Sequence, residues 1–226
     1  NNEDLSDMEE CVCPSFGACS VMGTANTMQI LGETLNLVIP GTATIPAPDI
    51  RKLRSARAAG KHIVELVKND IKPSDLITRE TLLNTIMVDM AIGGSTNAVL
   101  HIISMARELG LDISLDDFDK LSREIRCICG VRPNGPYNVV DLHNDGGVPA
   151  VMKMLERKLH TSVPTIIGNE WKDILAGGSV EPGDILSTLD KPLHKEAGLK
   201  VLKGNLAPKG AIIRPSGVAD GMKYFK

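Results

Sequence analysis

Apolar positions along the chain fall mostly at helical spacing, interrupted by short apolar runs, and many segments carry recognisable start or stop residues. Within residues 24–36, Ala25, Met28, Leu31 and Leu35 recur every three or four positions, which predicts one face of a helix. Pro40 and Gly41 close that stretch, and the small residues up to Pro48 form a connection. A second helix is expected from Asp49, with Leu53, Ala56, Gly60, Ile63, Val64 and Val67 on one face and Lys and Arg on the other, ending before Pro73. Thr78 is placed to cap a third helix carrying Leu82, Leu83, Ile86, Met87 and Met90. Gly93-Gly94 breaks it. Ser95 can then cap a helix over 96–109, with Gly110 in the position after its end. Ser114 and Asp117 have the spacing of a capping box for a short helix through Ile125.

Residues 126–131, 163–167 and 211–214 are expected strands, with a turn at Pro133-Asn134-Gly135-Pro136. Asp145-Gly146-Gly147 precedes a helix over 148–159, and a further short helix is expected over 170–175. Helical patterns alternating with short runs favour an α/β layering. The stretch after residue 200 is more β-like, so the expected division is an α/β portion over 1–200 and a β-rich stretch over 201–226.

Composition narrows the function classes. The chain has 226 residues, 42% apolar and 23% charged, the balance of a globular protein, and a net charge of −3. No basic field is present to attract nucleic acid or an anionic membrane. No apolar run approaches the roughly 20 residues that span a bilayer. Aromatics are only 3%, so the core is expected to be aliphatic and stacking platforms for single-stranded nucleic acid are lacking. An odd count of five cysteines behind an acidic start, Glu3 to Glu10, predicts a reducing compartment, the cytoplasm, with the acidic segment solvated.

The cysteines differ in setting. Cys127 and Cys129 share one face of an expected strand and are predicted to be buried structural thiols. A zinc site would require Cys11, Cys13, Cys127 and Cys129 to converge, and C-x-C is tighter than the usual zinc hook. Cys19 lies in Phe16-Gly17-Ala18-Cys19-Ser20, a small-residue turn directly before a helix, where the positive end of the helix dipole favours a thiolate. From the residues alone it is a ligand, a nucleophile or a packed cysteine. No neighbouring His stands as a base, which ranks ligand above nucleophile.

The segment Cys13-Pro14-Ser15-Phe16-Gly17-Ala18-Cys19-Ser20-Val21-Met22-Gly23-Thr24-Ala25-Asn26-Thr27-Met28 resembles the cysteine motif of the dihydroxy-acid and sugar-acid (phosphogluconate) dehydratase family. Three further segments agree in the family's order: Ala91-Ile92-Gly93-Gly94-Ser95-Thr96-Asn97-Ala98-Val99-Leu100-His101, then Asp141-Leu142-His143 with Gly146-Gly147-Val148-Pro149-Ala150, then Leu202-Lys203-Gly204-Asn205-Leu206-Ala207-Pro208. Lys72-Pro73-Ser74-Asp75 with Thr78-Arg79-Glu80 is similar too. The resemblance covers essentially the whole chain.

It implies an iron–sulfur hydro-lyase that converts a 2,3-dihydroxy carboxylate to a 2-keto acid with the help of magnesium, and a parallel sheet flanked by helices. Cys19 matches the last of the family's three cluster cysteines, in a cluster of [2Fe–2S] or [4Fe–4S] type. Cys11, Cys127 and Cys129 match none. The other two ligands and the magnesium-binding residues are expected before Asn1, and the proton acceptor after Lys226, so no catalytic residue is expected within the chain. It resembles an internal piece of a longer enzyme, inactive alone. Gly23, Thr24, Ser95 and Thr96 are expected near cluster or substrate, with helix packing or plain capping as the alternative. His143 is expected to make a structural hydrogen bond. Gly23 stands where branched-chain enzymes commonly have an aromatic, and Met22-Gly23-Thr24 resembles the sugar-acid dehydratases, whereas Ala98-Val99-Leu100-His101 and Val140-Asp141-Leu142-His143 resemble the branched-chain enzymes. The branched-chain acid leads, and a homo-oligomer in branched-chain amino-acid biosynthesis is implied. The rival from another class is a non-catalytic interaction module.

Overall fold

The computed structural model describes residues 4–6, 8 and 16–222. Its helices are α1 (Thr24–Thr34), α2 (Ile50–Lys68), α3 (Pro73–Leu76), α4 (Arg79–Ile92), α5 (Thr96–Glu108), α6 (Leu115–Glu124), α7 (Val139–Asn144), α8 (Gly147–Leu155) and α9 (Trp171–Ala176). The strands β1 (Lys200–Leu202) and β2 (Ala211–Ile213) follow. None of the described helices is long and apolar enough to cross a membrane.

The local stop and start signals act as expected. Thr78 accepts a hydrogen bond from the Thr81 N–H at the start of α4, and Ser95 accepts one from Asn97 N–H at the start of α5. Ser114 and Asp117 form the capping box of α6. Gly93 ends α4 in the left-handed region, φ 59°, which a residue without Cβ adopts at no steric cost.

Helix α4 is the centre of the molecule, packed against α1, α5, α6 and α8. The core around it is aliphatic, as the composition implies, and among the few aromatics Phe118 and Trp171 are completely buried.

The parallel sheet flanked by helices is not found among the described residues. Instead, β1 and β2 pair antiparallel, Lys200 opposite Ile213 and Leu202 opposite Ala211, β1 starting one residue before the stretch expected to be β-rich. The expected strand over 126–131 runs extended, but its backbone partners are scattered. Cys127 N–H donates to Glu196 O, Ile128 N–H to Ala91 O and Gly130 N–H to Ile185 O. The chain is threaded between α4 and two loops, so its buried peptide groups are satisfied one at a time and no ladder forms. Among the described residues the segment makes only two isolated bridges, Cys129 with Leu186 and Val131 with Tyr137, and residues 163–167 make one, Pro164 with Glu170.

The second helix forms over nearly the expected residues, but its apolar stripe faces outward. Of α2 only Leu66 is buried, while Leu53 and Val67 are 69% and 73% exposed. Periodicity identified the face and not what covers it.

Candidate active site

Two turns meet at one corner of the molecule. The first carries Cys19 and leads into α1. Gly17 adopts φ 103° there, where a Cβ would collide with Ala47. Buried Asn26, one turn into α1, reaches back and donates from Nδ2 to Cys19 O (2.5 Å) and Val21 O (2.8 Å). Met22 N–H donates to Arg132 O (2.7 Å), and Ser20 O accepts from Val139 N–H (2.8 Å). The backbone beneath the cysteine is therefore pinned from three directions. Cys19 is a free cysteine with an exposed thiol, whose Sγ donates weakly to Val21 O at 3.9 Å. Gly23 caps α1 without a side chain, and a Cβ there would lie 3.6 Å from Cys19 Sγ, in ordinary contact with the sulfur.

The second turn, Gly93-Gly94-Ser95, joins α4 to α5. Asn134 Nδ2 donates to Ile92 O (3.0 Å) and Gly93 O (3.1 Å), holding the end of α4. A Cβ on Gly94 would overlap the Asp89 carboxylate, so the close approach here requires glycine. Thr27, on α1, accepts from Ser95 N–H at 3.1 Å.

The two helix starts touch. The hydroxyls of Thr24 and Ser95 share a hydrogen bond of 3.0 Å, and Asn97 Nδ2 donates to Thr24 Oγ1 at 2.9 Å. Whichever hydroxyl donates, one proton of the pair is left free of these bonds. Neither α1 nor α5 has an acidic residue in its first turn, so both positive helix ends stand uncompensated by their own side chains. The structure thus brings Gly23, Thr24 and Ser95 together beside Cys19. Thr96 is exposed on the first turn of α5 and, with Asn97, begins an open groove of 830 Å³ that runs between α5 and the β1–β2 pair past Leu100, Lys203 and Ile212.

The remaining candidates lie elsewhere. Cys127 and Cys129 are buried, and burial pushes their thiols up to about 11 and about 12, so they are inert structural groups. Cys11 and Cys13 lie outside the described residues. His143 Nδ1 hydrogen-bonds the Thr44 hydroxyl at 3.0 Å, and its Nε2 is buried with no partner among the described residues. Desolvation first, then the charge of Arg51, lowers its pKa, so this ring favours the neutral form. The carboxylate of Asp141 instead accepts from Asn138 N–H, capping α7. Among the described residues no three His, Cys, Asp or Glu side chains are grouped to hold a metal ion.

Three residues at this corner escaped sequence reasoning. Asn26 and Asn97 sit inside the two quoted motifs, and their spacing from the helix starts was a usable signal. Arg214 had none, because its neighbours here are the carbonyls of Met22 and Gly94, far away in sequence.

The family model for the dihydroxy-acid/6-phosphogluconate dehydratase N-terminal region matches residues 1–174, and that for the C-terminal region matches 184–226. The chain is 45% identical over 223 residues to a dihydroxy-acid dehydratase of Methanosphaera stadtmanae, covering 98% of this chain and 41% of that protein. It is 45% identical over 221 residues to the dihydroxy-acid dehydratase of Methanococcus aeolicus, covering 97% and 40%. The enzyme of that name from Acetivibrio thermocellus is 41% identical over 226 residues, covering 99% and 41%. The chain thus spans about two fifths of the length of the curated relatives it matches. With both regional models matched and the motif residues assembled at one corner, the chain belongs to the dihydroxy-acid/6-phosphogluconate dehydratase family.

Proposed function

We propose that this chain is part of a hydro-lyase that dehydrates a 2,3-dihydroxy carboxylate of the 2,3-dihydroxyisovalerate type to a 2-keto acid, and that Cys19 is one thiolate ligand of its iron–sulfur cluster. The meeting of the Cys19 turn with the starts of α1 and α5, in a chain of this family, carries the reading.

Cys19 suits one ligand position, being a free, exposed thiol on a pinned backbone. Among the described residues no three His, Cys, Asp or Glu side chains are grouped, so these residues complete neither an iron–sulfur nor a magnesium site. When bound, a cluster iron supplies Lewis-acid assistance to a departing hydroxyl, and magnesium holds a carboxylate. The chain's own residues supply charge and orientation. First-turn amides of α1 and α5 favour an anion at the corner, whether thiolate or carboxylate. The free proton of the Thr24–Ser95 pair is available to a substrate oxygen. Asn26 keeps the cysteine backbone in place. With Nδ1 bonded to Thr44 and Nε2 buried, His143 is not assigned as proton acceptor.

A sugar-acid substrate is the second reading, favoured by one observation. Gly23 leaves open the space beside Cys19 Sγ that a larger side chain would occupy. Dehydration of the two substrate classes separates them: the gene product purified from its source cells is assayed on 2,3-dihydroxyisovalerate and on several aldonates, each by keto-acid release. Faster turnover of the branched-chain acid is expected, and preference for aldonates reverses the assignment. In the same preparation Cys19→Ser abolishes cluster iron and its visible absorbance. Retention of both removes Cys19 from the ligand set. The 226-residue chain alone, supplied with iron, sulfide and magnesium, is expected to be inactive.

A further inference from the structure

Arg214 follows β2 directly and points back into the corner. Its Nη2 donates to Met22 O (3.2 Å), and both Nε (3.1 Å) and Nη2 donate to Gly94 O. Met22 immediately precedes Gly23, the cap of α1, and Gly94 immediately precedes Ser95, the cap of α5. One guanidinium therefore spans the last carbonyl before each of the two helix starts.

A buried carboxyl lies against Gly94. Asp89, near the end of α4, is completely buried, and neither carboxylate oxygen has a hydrogen-bond partner among the described residues. Burial pushes its carboxyl well above the usual carboxylate range, opposed by the charge of Arg214. A buried carboxylate without a hydrogen bond is costly, so burial favours the neutral form of Asp89. Gly94 is the residue between Asp89 and Arg214, and its missing Cβ is what admits the Asp89 side chain.

We propose that Arg214 is a positioning residue that fixes the Cys19 turn and the Ser95 turn at one spacing and ties both to the β1–β2 segment. Planarity matters to this role. A guanidinium can direct separate N–H groups at two carbonyls at once, whereas the Lys ammonium is a point charge on a flexible stem. The consequence at the cluster rests on Cys19 being a ligand; the coupling of the two turns does not.

The test is hydrogen–deuterium exchange on the full 226-residue chain, which reads the coupling without metal or substrate. The reporters are the amides of Met22, Thr27, Gly94 and Ser95, all hydrogen-bonded in the structure. Arg214→Met is expected to speed exchange about tenfold or more at both turns together, leaving α8 and α9 unchanged. Arg214→Lys keeps the positive charge without the planar fork and is expected to restore protection at one turn more than at the other. If Arg214→Met unfolds the chain, Arg214→Met with Asp89→Asn, which leaves no titratable carboxyl behind Gly94, is expected to show the same paired local increase. Unchanged exchange at either turn overturns the proposal. So does a uniform increase across all helices, which marks Arg214 as a general stabiliser. Loss of cluster iron in Cys19→Ser is scored separately, so the clamp and the ligand assignment stand or fall independently.

Discussion

Helices α2 and α4 both carry many apolar residues, and the one with the cleaner stripe is the one left uncovered. In α2 the apolar positions follow helical spacing, yet of its residues only Leu66 is buried. In α4 polar residues interrupt the pattern on every side, yet Thr81, Asn84, Thr85 and Asp89 are buried together with Leu82, Ile86, Val88, Met90 and Ile92. An amphipathic stripe announces that a face can be covered; a helix surrounded by others needs no stripe. What α4 needs is partners for its polar groups. Asn84 supplies both of its functions to the His160 backbone at 2.8 Å, and Thr85 bonds Thr81 O (2.8 Å) and the Thr34 hydroxyl (3.0 Å). Buried polar groups with satisfied bonds fix one packing arrangement where apolar contacts alone would accept several.

The largest effect is therefore expected in α4. Ile86 is fully buried in the core, so Ile86→Ala removes transfer energy and leaves a cavity, at a cost of about 2 to 5 kcal/mol. Chemical denaturation followed by far-ultraviolet circular dichroism measures it. A loss below about 1 kcal/mol would mean that the centre of the molecule is not α4.

A second effect of comparable size depends on pH and sits at the connection between the two regions. Glu33, on α1 against α4, is completely buried and accepts from Gly41 N–H (2.8 Å) and Ala43 N–H (2.6 Å), the segment that leads toward α2. Burial raises its carboxyl from 4.5 to about 7, against the pull of those backbone donors and of Lys52. The folded state then holds this proton to higher pH than the unfolded chain does. Stability from this group is full below about 4.5 and is lost as pH climbs through about 7, for a total on the order of 3 kcal/mol. Denaturation midpoints of the wild type at pH 5.5 and 8 should differ in that direction, and Glu33→Gln should remove the difference it contributes. Asp89 titrates with the same sign in both proteins and cancels in the subtraction. Parallel pH profiles for the two would sever the proposed link.

What the sequence disclosed divides along the same line as the two helices. Caps and stops are local, and Thr78, Ser95, Ser114, Gly93 and Gly110 could be placed because each acts within a few residues of itself. The expected strand over 126–131 failed because its partners, Ala91, Ile185 and Glu196, lie on three distant segments, and no pattern within the run distinguishes a threaded chain from a paired one. At the corner, Gly23, Thr24 and Ser95 were legible only through resemblance to known motifs. The Thr24–Ser95 bond joins residues 71 positions apart, which spacing does not encode. Asp89 and Arg214 were invisible for a related reason: one acid in an apolar helix and one arginine after a strand have the same letters whether solvated or buried.

The smallest effect is the one that could reverse the comparison. Leu53 and Val67 lie on the outward stripe of α2, and each keeps most of its surface in water. Replacing a side chain that folding does not bury removes little transfer energy, so Leu53→Ala and Val67→Ala should each change stability by no more than about 0.5 kcal/mol. The change to Ala also slightly favours the helix, since the β-branched Val67 gives up rotamer freedom on the preceding turn. Val67→Ala is therefore expected to be neutral or marginally stabilising, and Leu53→Ala neutral. Measured beside Ile86→Ala by the same denaturation, the pair sets a scale for the outward face. A cost of 2 kcal/mol or more at Leu53 or Val67 would place these side chains in a covered interface, and α2 would then belong with α4 among the buried helices.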